Sequence, residues 1–134
     1  MATVERATLG SHAVVNQPPP LVDYNVFEAD TPLVEAVRRE GAEWAERRIA
    51  TVGALAGSEH VQRLGALANE NPPKLRTHDR YGHRVDEVEF HPAWHELLDH
   101  ATAHGLHALP WREPEPGAHT ARAAMFMTWN VEAG

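Results

Sequence analysis

The sequence predicts an all-α fold: a helical domain over residues 31–134, preceded by an extended, proline-rich arm over residues 1–30. Three observations carry this. Apolar residues recur at helical spacing in four separate stretches. Three consecutive prolines, Pro18-Pro19-Pro20, remove three backbone donors and fix φ, which excludes helix and central strand at that point. From Lys74 to Phe90 the helical period disappears, and that stretch reads as a short irregular or hairpin connection.

Met1–Gly10 has no clear period and carries no apolar core of the signal-peptide kind. From Asn16 the proline run should lie near polyproline II. Val14, Val15, Leu21, Val22, Tyr24, Val26 and Phe27 flank it, too many large apolar groups for a solvated tail. Met1–Gly10 is expected to be loose, and the arm from Ser11 to Phe27 to be ordered and extended, packed on its own helices, on a neighbouring subunit, or on both. The first helix starts with Thr31 as N-cap and Pro32 in the first position. Its stripe runs through Val34, Val37, Gly41, Trp44, Ala45 and Val52, with Gly53 and Gly57 loosening the end. Glu35–Arg39 and Glu43–Arg47 form i,i+4 pairs on the outer face. Arg48 falls inside the stripe at about 100° per residue. Either its stem snorkels, or it makes a buried ion pair or a subunit contact.

Ser58 caps a second helix that turns Val61, Leu64, Leu67 and Ala68 inward and stops at Asn69–Pro73. Asp79-Arg80-Tyr81-Gly82 reads as a turn within an irregular or hairpin connection. A third helix runs from His91-Pro92 to His104-Gly105, with Trp94, Leu97, Leu98 and Ala101 on its apolar face. Pro110, Pro114 and Pro116 mark a loop. A fourth helix, Gly117 to Val131, carries Ala121, Ala124, Met125 and Thr128 at helical spacing. It meets no stop except Gly134, so the chain reads as the front of something longer.

Composition narrows the function. With 134 residues and 43% hydrophobic content the chain can close one core. A net charge of −7 argues against nucleic acid as the main partner of this segment. No apolar run approaches the roughly 18 residues of a membrane span. Zero cysteines exclude disulfides and thiolate chemistry, and a reducing, cytoplasmic location is expected. There is no glycine-rich phosphate loop and no nucleophile motif. His91/His95 and His100/His104 have chelating i,i+4 spacing, and His95-Glu96-Leu97-Leu98-Asp99 comes within one residue of HExxH. Helical rotation places the two pairs on opposite flanks of the apolar stripe, so they do not converge. We assign no catalytic, cofactor-binding or metal residue.

Four blocks in order carry a resemblance: Ser11–Leu21 with Tyr24-Asn25, Leu33–Ala42, Leu67–Pro73, and Phe90–His95. Together they resemble the N-terminal part of the AidB family, a branch of the acyl-CoA dehydrogenase superfamily tied to the bacterial response to DNA alkylation. The resemblance implies a larger protein with a helical N-terminal domain, a β-domain and a C-terminal helical region. It implies bound FAD, acyl-CoA-dehydrogenase-like chemistry, a homotetramer, and DNA binding through a basic C-terminal region. The flavin-holding segments, the catalytic glutamate and the DNA-binding region would all lie downstream of Gly134. This segment would cover one side of the flavin and acyl pocket and contribute subunit contacts. Asn16, Gln17, Pro18, Pro19, Pro20, Leu21, Tyr24 and Arg48 are the candidate subunit-interface residues. The rivals are a stand-alone helical interaction module without flavin and, more weakly, a histidine-based metal enzyme.

Overall fold

A computed structural model describes residues 17–133. The arm from Gln17 to Leu21 is exposed and forms neither helix nor strand. It is tied down by polar bonds: Gln62 Nε2 donates to the Leu21 carbonyl at 3.0 Å, and Asp23 N donates to the Gly57 carbonyl at 2.7 Å. The apolar docking falls to Val26 and Phe27, which are buried. They sit in a helical turn, α1 (Val26–Ala29), where an extended chain is expected from the prolines alone. Asn25 nucleates that turn. Its Oδ1 accepts from the N–H groups of Phe27 and Glu28, and its Nδ2 donates to the Ala50 carbonyl at 3.0 Å.

The expected first helix is two helices. α2 (Thr31–Arg39) is capped by Asp30, whose Oδ1 accepts from Leu33 N at 3.1 Å, one residue before the expected cap. It ends where Gly41 adopts φ +72, and Ala42 N returns to the Val37 carbonyl at 2.9 Å. A 3₁₀ turn, Glu43–Ala45, leads into α3 (Glu46–Ala56). The break resets the helical phase. Ile49, off the stripe of one continuous helix, becomes fully buried, and Trp44 is left exposed with Nε1 donating to the Pro116 carbonyl at 2.8 Å. Neither expected i,i+4 pair forms. Arg38 instead reaches across the break to make two bonds to Glu46, and Arg39 pairs with Glu40.

Gly53 and Gly57 do not loosen α3; both are buried where α1 and the arm cross it. α4 (Glu59–Glu70) follows, capped as expected by Ser58, with Val61, Leu64 and Ala68 buried. β1 (Lys74–His78) and β2 (Arg84–Glu89) form an antiparallel hairpin with Leu75 opposite Val88. Its turn is organised by Asp79, whose carboxylate accepts from Tyr81 N and His83 N, and every strand residue is exposed. α5 (Pro92–Ala103) ends at His104-Gly105 as expected. The proline loop contains a short helix, α6 (Leu109–Arg112), with Pro110 in its first turn, a position that needs no proline N–H. α7 (Ala118–Ala133) buries Ala121, Ala124, Met125 and Thr128, the spacing read from the sequence.

α3 packs on α1 and α7, and α4 packs on α5 and α7. The main core joins α2, α3, α6 and α7 around Val37, Ile49, Val52, Leu109 and Met125. A smaller one, Leu64, Ala68 and Ala93, holds α4 to α5. Among the described residues no helix is long and apolar enough to cross a membrane.

Candidate functional site

α5 sets up the site because its apolar face is wider than its neighbours cover. Ala93 is buried against α4, but Leu98 on the same face remains 61% exposed. α7 repeats the pattern: beyond its buried row, Phe126 is 46% exposed. Between α4, α5 and α7 these side chains frame a cleft of about 370 Å³, lined chiefly by Trp94, Leu97, Leu98, Leu106, Phe126 and Trp129. Trp94 is fixed by Nε1 donating to the Ala68 carbonyl at 3.2 Å, and Phe90 meets its ring edge-on at 6.0 Å between centroids. Arg122 sits at the cleft, with Nε donating to the Leu106 carbonyl at 3.1 Å and its guanidinium 5.4 Å from the Phe126 ring centroid. Inside α7 the Thr128 hydroxyl is buried without a hydrogen-bond partner.

The chemistry available here is apolar enclosure. An acyl chain or one face of a flat ring fits such walls. A dinucleotide needs more, because its pyrophosphate must be met by converging backbone N–H groups or cations. Among the described lining residues Arg122 is the one permanent cation, beside the imidazole of His107, and it is already engaged by a carbonyl and a ring. Among its described lining residues the cleft therefore offers apolar enclosure and no converging set of phosphate donors.

The sequence-derived interface residues do not converge on the cleft. Gln17, Pro18, Pro19, Pro20 and Leu21 are exposed along the arm, Tyr24 is half-buried beside α3, and Asn16 lies outside the described residues. Arg48 is half-exposed and pairs with Glu113 at 2.8 Å, joining α3 to the segment after α6. The histidines separate. His91 caps α5 by accepting from Ala93 N, the His95 ring meets Phe90, and His104 closes the helix. His100 does not pair with His104; it faces Glu96 and, from α4, His60. The cleft was readable only as the apolar face of α5, since nothing in sequence shows that the face stays uncovered.

The comparisons agree with this architecture. The family described as the adaptive response protein AidB N-terminal domain matches residues 16–134. The putative acyl-CoA dehydrogenase AidB of Escherichia coli K12 is 46% identical over 126 residues, covering 92% of this chain and 23% of that protein. Caenorhabditis elegans ACDH-11, solved in complex with C11-CoA, superimposes with a TM-score of 0.72 at 24% identity, over 100% of this chain and 24% of that one. The Bd2924 apo-form gives the same TM-score at 17% identity, over 86% of this chain and 24% of its own. At those identities the two structures speak for the fold alone, and the chain spans about a quarter of each relative's length. The match across nearly the whole chain and the 46% identity establish that this chain belongs to the AidB N-terminal domain family of acyl-CoA-dehydrogenase-like proteins.

Proposed function

We propose that this chain is the N-terminal helical domain of an AidB-like, acyl-CoA-dehydrogenase-family flavoprotein that serves the response to DNA alkylation. Its α4–α5–α7 cleft forms one wall of the flavin and acyl pocket, and the remaining walls, the FAD and the catalytic base come from the rest of the protein. The observation that carries this is the uncovered apolar cleft, walled by Trp94, Phe126 and Trp129, with no carboxylate among its described lining residues. Elsewhere on α7, Met127 and Val131 are exposed as well, which suits burial against downstream domains. The all-exposed hairpin supports subunit contacts, because a two-stranded hairpin is marginal by itself in water. In this reading the arm and Arg48 also contribute to a homo-oligomer, a tetramer in the full-length protein. The acidic charge leaves DNA to a basic region elsewhere.

The test compares the full-length protein with its Phe126→Asp and Leu98→Asp variants. Both sites are exposed in this domain, so the domain itself should still fold. Loss of flavin absorbance or of acyl-CoA-dependent turnover in the full-length variants supports the reading, while the 134-residue chain alone should be colourless. Full flavin occupancy and turnover in both variants would refute the cleft as a wall of the pocket, and a yellow isolated chain would refute the division of the flavin site between this domain and the rest of the protein.

A further inference from the structure

A three-donor cluster lies outside the cleft, where α4 meets α5. Glu96 and His100 are one turn apart on α5 and therefore face the same way. That face looks at α4, from which His60 points back. The Glu96 Oε1 atom lies 2.7 Å from His60 Nε2 and 4.0 Å from His100 Nε2. One donor atom from each of the three lies within 4.8 Å of the other two. His100 adds an independent observation: its Nε2 is shielded and has no hydrogen-bond partner. A buried imidazole nitrogen is seldom left so. The ring is held beside Trp129, with centroids 6.3 Å apart, which fixes its direction.

We propose that His60, Glu96 and His100 form a binding site for a first-row transition-metal dication of the Zn²⁺ class, clamping α4 to α5. Two neutral imidazoles and one carboxylate are a borderline donor set. They suit Zn²⁺, Ni²⁺ or Co²⁺, whereas Mg²⁺ and Ca²⁺ require more oxygen ligands. A tetrahedral zinc ion at its usual bond lengths separates its donors by about 3.3 Å. The 2.7 and 4.0 Å separations straddle that value and the third pair lies within 4.8 Å, so the donors must converge by up to about 1.5 Å to hold the ion. His60 and Glu96 are exposed, giving the ion an entry path and leaving a fourth position to water. The ion would give the shielded His100 nitrogen the partner it lacks, and the carboxylate would offset one of its two charges.

The test uses the chelator-treated 134-residue chain and ZnCl₂. Histidine ring ¹⁵N spectra are followed during the titration, with MgCl₂ as a control. The expected result is one equivalent bound, with the rings of His60 and His100 shifting first and MgCl₂ inert. Glu96→Gln and His60→Ala are the variants of choice, because both positions are exposed and His100 packs on Trp129. Removing a direct ligand should weaken binding by no less than the loss of an outer hydrogen-bond partner, about 10–100-fold. Shifts spread evenly over His91, His95 and His104, or zinc affinity unchanged in both variants, would overturn the proposal. The ring spectra of the parent chain decide it even if a variant fails to fold.

Discussion

Replacing Gly53 by alanine tests the packing of the arm most directly. Gly53 lies inside α3, where intrinsic propensity favours alanine by about 1 kcal/mol. The structure reverses the sign. A Cβ at Gly53 would run into Asn25 Oδ1 and lie 2.8 Å from Phe27 N and 2.9 Å from Phe27 Cβ. Carbon contacts prefer about 3.5–4.0 Å, so α1 must retreat by roughly 1 Å. Overpacking of this kind costs about 1–3 kcal/mol. The same retreat stretches the Asn25 Nδ2 bond to the Ala50 carbonyl, now 3.0 Å, past useful range, for about 0.5–1.5 kcal/mol more. After the propensity gain, a net loss of about 2 kcal/mol remains, or a melting temperature about 6–8 °C lower for a chain of this size. Urea denaturation and calorimetry on Gly53→Ala measure it. Adding Asn25→Ala should be less than additive, since it removes the group in the way. A Gly53→Ala chain as stable as the parent, or more so, would refute the close crossing of α1 over α3.

Ser58→Ala should cost about 1 kcal/mol through loss of the α4 cap, read by thermal unfolding. Arg48→Ala and Glu113→Gln should each change stability by less than about 1 kcal/mol, because the pair is half-exposed; a double-mutant cycle checks this. The Glu46 carboxyl is held below its ordinary value by its hydrogen bond from Arg38. A lowered carboxyl contributes stability above its unfolded pKa and loses it as pH falls through the folded one. Glu46→Gln should therefore flatten the acid limb below about pH 4.5 and leave the neutral region's slope unchanged, which unfolding at a series of pH values tests. Deleting residues 1–22 should spare the melting temperature to within about 3 °C, since Val26 and Phe27 remain, yet lower the mass of any oligomer in light scattering.

The sequence determined the helical class, the cap at Ser58, the turn at Asp79–Gly82 and the inner row of α7. Each of these is local, set by a cap, a turn residue or the 3.6 period. The Gly41 break was also written locally, as Arg38-Arg39 followed shortly by glycine, the usual mark of a helix end. Reading Gly41 as part of a stripe hid it, and that put Arg48 on the stripe and Ile49 off it. Resemblance through ordered blocks supplied the family, which no single motif carries. Three things were decided only by tertiary structure. Gly53 and Gly57 read as loosening a helix, yet they are where the arm crosses α3, a contact between segments about 30 residues apart. His100 has a chelating partner in sequence, His104, but meets His60, 40 positions away, because helix packing sets which faces oppose. The apolar face of α5 is plain in sequence, but an apolar face is silent about what covers it. Its emergence as an open cleft depends on the spacing of α4, α5 and α7, set by α4 packing on both of the others.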